Sequence, residues 1–180
     1  MDAITMLKER RSVRKFKDDK VVREILNDAI STALYAPSWA NFQTVRYTVI
    51  DDDKLLKTLA DDGLKGFAPN VKTLKRAAGA VVVSNVKGKS GCSPQGDYVT
   101  SKGDAWEMFD AGIACQTFCL AAYEKGIGTV IMGIFDEDKV AELVDLPEDE
   151  SVAAIIPYGY EADHPNTPTR KALEEVVRYL

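Results

Sequence analysis

The sequence predicts an α/β or α+β domain with a central sheet flanked by helices. Three observations carry that prediction. Several segments place apolar residues at helical spacing; two runs rich in Val and Ile have the length and composition of strands; and the two patterns alternate along 180 residues, a length that fits one domain.

The elements follow in chain order. Ala3 to Arg10 is a first helix, with Ile4 and Leu7 on one apolar face. Val21 to Leu34 is a stronger one: Ile25, Leu26, Ala29, Ile30, Ala33 and Leu34 keep helical spacing, and Pro37 stops it. Val45 to Ile50 reads as a strand ending in an acidic turn, and Lys54 to Ala60 as a short helix. Gly79 to Ser84 reads as a strand buried on both faces, because its β-branched residues run without alternation. Lys87 to Gly103 is polar and rich in Gly, Ser and Lys, the pattern of a lid or mobile segment. Asp104 to Lys125 is the best helix of the chain. Its stripe of Met108, Ala111, Gly112, Cys115, Phe118, Cys119 and Ala122 is broad enough to predict burial on more than one side, hence a subunit interface, and Gly126 stands where a C-terminal cap belongs. Gly128 to Ile134 and Ser151 to Gly159 are strand-like, and Lys171 to Tyr179 is a last short helix.

Composition narrows the function. Hydrophobic residues make up 46% and charged residues 28%, an ordinary globular balance, and the net charge is -5. An acidic chain is a poor nucleic-acid binder. The start of the chain lacks a basic segment followed by an apolar run, and no stretch approaches the roughly 20 apolar residues of a membrane span. Three cysteines are too few for a disulfide framework, so the expectation is a cytoplasmic protein without membrane contact. With a single histidine, His164, in a surface-loop context, no metal site is expected; Cys115 and Cys119 read as small core residues. The P-loop, Gly-x-Ser-x-Gly and His-Glu-x-x-His patterns are absent, and Gly126-x-Gly128 lacks the rest of a dinucleotide fingerprint.

Against the acidic background stands Arg10-Arg11-Ser12-Val13-Arg14-Lys15-Phe16. If the chain is extended there, Arg10, Ser12 and Arg14 share one face and converge on a small anion such as a phosphate. The same residues also read as a solvated basic turn after a helix. Downstream lies Ala36-Pro37-Ser38-Trp39-Ala40-Asn41-Phe42-Gln43. Ser38, Asn41 and Gln43 supply hydroxyl and amide groups that match a flavin's pyrimidine edge, and equally suit a helix-ending turn. Gly126, Gly128 and Gly133 would let backbone approach a planar ring.

Taken in order, these segments resemble the nitroreductase family over essentially the whole chain. The remaining matches are Ala77 to Val83, the helix Asp110 to Tyr123 running into Gly126-Ile127-Gly128-Thr129, and Ile155-Ile156-Pro157-Tyr158-Gly159-Tyr160 followed by Arg170. The resemblance implies an α+β three-layer sandwich, its central, mostly antiparallel sheet flanked by helices, in an intertwined homodimer with FMN at the interface. It implies that Arg10, Arg11 and Ser12, joined by Arg170, bind the phosphate or ribityl end. Arg14 would lie near the flavin N1 and O2 edge. Pro37, Ser38, Trp39, Asn41 and Gln43 would line the flavin, the polar ones from the partner subunit. Asn70 would stand near the ring edge, and backbone at Met132 and Gly133 near N5. Two departures bear on the substrate rather than the cofactor: Trp39 stands where the family commonly has a small residue, and Thr44-Val45-Arg46-Tyr47 follows Gln43 where many members continue with Pro and Trp. The activity implied is ping-pong hydride transfer from NAD(P)H through FMN to a nitroaromatic, a quinone or a similar small acceptor. The alternatives are a flavin carrier or redox-responsive module, and a specialised chemistry such as reductive dehalogenation.

Overall fold

A computed structural model describes residues 2–180. Its centre is a four-stranded sheet in the order β1-β2-β4-β3, antiparallel throughout. The strands are β1 (Val45–Ile50), β2 (Gly79–Val86), β3 (Gly128–Thr129) and β4 (Glu150–Gly159). The helices are α1 (Ala3–Glu9), α2 (Arg23–Ala33), α3 (Asp53–Asp62), α4 (Ala68–Leu74), α5 (Ala105–Glu124), α6 (Glu137–Leu143) and the single turn α7 (Leu173–Val176). The architecture is thus mixed α+β.

β2 explains the layering. All but its last residue are buried, and successive side chains serve opposite faces. Val81 and Val83 meet Leu26, Ala29 and Ala33 of α2 and Cys115, Phe118 and Ala122 of α5. Ala80 and Val82 meet Leu56 and Leu59 of α3, Leu74 of α4 and Val140 of α6. Two cores therefore sandwich one sheet. Burying a side chain such as Phe118 or Leu59 completely is worth about 1.5–3 kcal/mol. The register of β2 against β4 shifts between Val83 and Ser84, where one extra residue of β4 bulges.

Local signals set the helix ends. Asp2 accepts from the amides of Ile4 (3.1 Å) and Thr5 (3.0 Å) at the start of α1. Asp52 accepts from Leu55 (2.8 Å) at the start of α3. Asp136 accepts from Lys139 (3.3 Å) at the start of α6. Arg23 at the head of α2 clasps Asp51 at the end of β1 through Nε (2.6 Å) and Nη2 (3.0 Å), and this bond holds the Asp51 carboxyl below its ordinary range.

Four expectations need correction. The strand expected over 128–134 stops at Thr129, with only an isolated bridge further on, from Met132 to Ile155. The next partner on β4 is Pro157, which accepts from Val130 N at a long 3.4 Å and has no N–H to return, so the ladder breaks there. The helix expected over 171–179 is one turn, Leu173–Val176, with the Leu173 and Val176 side chains exposed. Of the expected stripe, Met108 and Gly112 are not buried within the single chain. Lys87 to Gly103 is not a free lid. It runs through turns tied to the body: Lys87 N donates to Asp149 O (2.8 Å), Gly88 N to Glu107 Oε1 (2.6 Å), and Trp106 Nε1 to Thr100 Oγ1 (2.8 Å). Helices α4 and α6 were not anticipated at all.

Candidate functional site

The residues singled out from the sequence gather around two clefts. The first lies beside the β3 edge. Residues 12–16 run there as an extended segment. Ser12 bridges Thr129, Val13 N donates to Thr129 O (2.9 Å), Phe16 bridges Glu161, and Lys17 N donates to Tyr160 O (2.9 Å). Val13 and Phe16 turn inward and are buried. Two glycines make the close docking possible. A Cβ on Gly128 would stand 2.8 Å from Val13 Cγ2, and one on Gly159 would stand 3.0 Å from Phe16 Cδ1.

Extended backbone puts Arg10, Ser12 and Arg14 on one side. With Arg11, Arg170 and the turn residues Pro165, Asn166 and Pro168 they line a cleft of about 610 Å³. No carboxylate lines it. Among the described residues, none of its arginines forms a salt bridge. Arg14 Nη1 and Arg170 Nη1 reach only nearby carbonyls, Ser12 O and Pro168 O, each at 3.2 Å, and Arg10 Nε is buried without a partner. Clustered guanidinium groups repel one another, and such a cluster is favourable once a bound anion compensates it. Arg11 is different. Its Nη1 donates to Lys8 O (2.6 Å) and Arg10 O (2.9 Å), and its Nη2 donates to Thr167 Oγ1. Its Nη groups thus tie the 165–170 segment to the start of the cleft, while its Nε, like that of Arg10, is buried without a partner among the described residues.

The second cleft, about 510 Å³, opens where α2 ends. Pro37, Ser38, Gln43, Arg46, Tyr47 and Asp110 are among its lining residues. The 38–43 loop that borders it is strained: Ala40 (φ 45°), Asn41 (φ 57°) and Gln43 (φ 52°) all sit in the left-handed region, which is costly for residues with a Cβ. Ser38 Oγ accepts from Gln43 N (2.9 Å), closing the loop on itself. Arg46 Nη1 donates to Gln43 O (2.7 Å). The Asn41 and Gln43 side chains remain exposed. Trp39 is half-buried and packed from one side. Its ring lies 4.9 Å from that of Trp106, and its Nε1 donates to Cys92 O (3.3 Å).

Beneath the loop is a buried polar group that the sequence reading missed. Asp110, 2% exposed, accepts from Trp39 N with both oxygens (3.0 and 3.1 Å) and from Ser90 Oγ (2.7 Å). Ser90 Oγ in turn lies 3.2 Å from Thr44 Oγ1. A signal existed. Asp110 stands four and eight residues before Ala114 and Phe118, so it is a carboxylate in phase with an apolar stripe.

The remaining candidates separate. Met132 is buried in the core, and its N–H and C=O both pair with Ile155 (2.8 and 3.1 Å), so its backbone is already used. Gly133 is exposed, its amide has no partner among the described residues, and the space a Cβ would take is open. Asn70 lies on α4 and lines neither cleft. His164 is exposed beside Glu161 (3.2 Å), Cys115 and Cys119 are buried in the core, and the described residues form no cluster able to hold a metal ion. No described helix is long and apolar enough to cross a membrane.

An antiparallel sheet between two helical layers, with a cationic cleft free of carboxylates at one edge and an amide-bearing loop at the other, defines a mixed α+β protein. Comparison with known proteins gives the family. The nitroreductase family model matches residues 7–160, and the chain belongs to that family. An iodotyrosine deiodinase of Thermotoga neapolitana is 28% identical over 182 residues, spanning 97% of this chain and 95% of that one. A Thermus thermophilus NADH dehydrogenase is 25% identical over 203 residues, spanning 98% and 95%. Among solved structures, an FMN-dependent nitroreductase of Clostridium difficile R20291 superposes with a TM-score of 0.79 at 29% identity, covering 98% of each chain.

Proposed function

We propose that this protein is an FMN-dependent oxidoreductase that takes hydride from NAD(P)H and passes it, in a ping-pong cycle, to a small acceptor such as a nitroaromatic or a quinone. The observation that carries the reading is the first cleft: arginine side chains around one space with no carboxylate among them. Family membership and the FMN-dependent neighbour of 29% identity support the cofactor, and the relative named NADH dehydrogenase supports the donor. The whole chain acts as one domain, in the cytoplasm, where its three cysteines stay free.

In this reading Arg10, Ser12 and Arg170 hold the phosphate and ribityl end, replacing its water with charge-assisted hydrogen bonds. Arg11 keeps the wall in place behind them. Arg14 holds negative charge at the N1 and O2 edge. Two copies of the chain complete the site: Ser38, Asn41 and Gln43 of a partner subunit meet the pyrimidine ring, and Pro37 packs on its plane. The free amide of Gly133, rather than Met132, faces the N5 side. Asn70 has no role that the clefts suggest. Exposed apolar side chains on α5, Met108 and Phe109, suit the subunit contact. When bound, FMN supplies the hydride chemistry, so no protein acid or base acts directly.

A second reading is reductive dehalogenation, favoured by the deiodinase relative that spans 97% of this chain. One experiment orders these readings: the visible absorption spectrum of the protein after incubation with FMN and desalting, before and after anaerobic NADH and, separately, NADPH. Retained flavin absorption that bleaches with NADH is expected. Retention without bleaching by either nicotinamide favours dehalogenation or a carrier role. Loss of all flavin on desalting overturns the cofactor assignment.

A further inference from the structure

The loop that would meet the flavin holds Ala40 and Gln43 in left-handed backbone that they disfavour, with Asn41, which tolerates it, between them. Ala40, Asn41 and Gln43 are all left-handed, and none is glycine. Within the loop, Asn41 N donates to Ser38 O (3.0 Å), Phe42 N to Trp39 O (2.8 Å) and Gln43 N to Ser38 Oγ (2.9 Å). Strain of this kind persists where surroundings over-determine the backbone. Around it, Arg46 Nη1 donates to Gln43 O (2.7 Å) and the Trp39 ring packs on Trp106, but the one buried charged group that grips its backbone is a carboxylate. Both oxygens of Asp110 accept from Trp39 N, the amide that leads into the left-handed residues. No cation pairs with Asp110 among the described residues; it is satisfied only by that amide and by Ser90 Oγ at 2.7 Å, backed by Thr44 at 3.2 Å. A buried charge held by donors alone has few alternative geometries, because losing one donor leaves it poorly solvated.

We infer that Asp110 is a positioning residue for flavin binding: through the Trp39 amide, and braced by Ser90 and Thr44, it fixes the 38–43 loop in the strained form that presents Ser38, Asn41 and Gln43. This rests on the reading that the loop faces FMN. The brace also reaches the 87–103 segment. Trp39 Nε1 donates to Cys92 O at 3.3 Å, and Ser90 belongs to that segment, so both strands of this link run through residues flanking the loop. Asp110 touches no ligand in this arrangement; it acts only through backbone.

The test is FMN titration of the apoprotein, followed by flavin fluorescence, in Asp110→Ala, Asp110→Asn, Ser90→Ala, Asn41→Ala and Leu59→Ala, each with its melting temperature. Asparagine can still accept from Trp39 N through its carbonyl oxygen while its NH2 donates to Ser90 Oγ. Asp110→Ala is expected to weaken FMN binding about tenfold, the cost of losing a charged hydrogen bond, and Asp110→Asn to restore it to within about threefold of wild type. Leu59→Ala, in the opposite core, lowers the melting temperature without moving the FMN Kd. If Asp110→Ala weakens FMN no more than Leu59→Ala does at comparable stability, the positioning role is wrong. If Asp110→Ala does not fold, Ser90→Ala decides the matter: a severalfold weaker Kd and faster hydrogen exchange at the Trp39 amide are expected, and no change in either overturns the inference. Asn41→Ala separates the premise from the proposal. If it leaves the Kd unchanged, the loop does not meet FMN and the flavin reading of this cleft fails with it. If it weakens the Kd while Asp110→Ala does not, only the positioning role fails.

Discussion

The two clefts are built on opposite principles. The basic wall is relaxed in its backbone and unfavourable in its charges: residues 12–16 lie in ordinary extended conformation along Thr129 and Glu161, while Arg10, Arg14 and Arg170 face one space without a carboxylate. The amide wall is the reverse. It is modest in charge, but three of its residues stand in left-handed backbone above one buried carboxylate. One wall holds its ligand-ready state as electrostatic repulsion, the other as conformational strain. An anion relieves the first directly. The second is relieved by nothing in the ligand and depends on Asp110.

That contrast can be broken in three ways. The largest effect is expected at Arg10. Arg10→Ala should weaken FMN binding about 10- to 100-fold, because a charged hydrogen bond is lost from the centre of the wall. Arg14→Ala should act mainly on the rate of flavin reduction by NADH, measured by stopped flow. Added salt should weaken wild-type binding more than that of the Arg10 variant. Equal affinity for wild type and Arg10→Ala would show that the repulsion does not serve the ligand. A smaller effect is expected in the amide wall. Ala40→Gly removes a left-handed Cβ at an exposed position, and should raise the melting temperature by about 1–3 °C while loosening FMN binding. A lower melting temperature there would mean that the loop stores no strain.

The third test separates both walls from the core beneath them. Burial pushes Tyr47 and Tyr158 from an ordinary 10.0, and Cys115 from 9.0, up to about 12. The fold therefore favours their neutral forms. Their contribution is complete below the unfolded pKa values and is lost as pH rises from about 9 through about 12. Melting temperature should fall across that window in wild type. Tyr47→Phe should flatten the upper part of the curve while the Arg10 and Ala40 variants keep its shape. A flat wild-type profile would remove these groups from the stability balance.

What could be read from the sequence follows the same division. α2, α5, β1 and β2 were legible because apolar spacing and β-branched runs are strong local signals, and the α+β class followed from their alternation. Helices α4 and α6 were not, since seven residues with few apolar positions carry little periodicity. Yet Asp136 followed by Glu137 and Asp138 was a readable N-terminal signature for α6. The early end of β3 is written on the other strand, at Pro157, where no local reading of 128–134 could find it. In the basic wall, alternation along an extended chain correctly placed Arg10, Ser12 and Arg14 together. It could not show that Arg11, which lines the same cleft, donates through Nη1 and Nη2 to Lys8, Arg10 and Thr167. In the amide wall the exposed polar residues were visible, while the Asp110 support depends on a contact across 71 residues.

Gly128 and Gly159 meet no ligand in any of this, yet they decide where the arginines stand. The basic segment rests on the sheet because two side chains are absent: Val13 fills the space at one glycine and Phe16 the space at the other. A single added methyl at Gly128 would lift Val13, and with it Ser12 and the cations on either side. The residues that shape the basic cleft thus extend beyond its lining. A lesion at either glycine would present as a binding defect in a protein whose every ligand contact is still encoded.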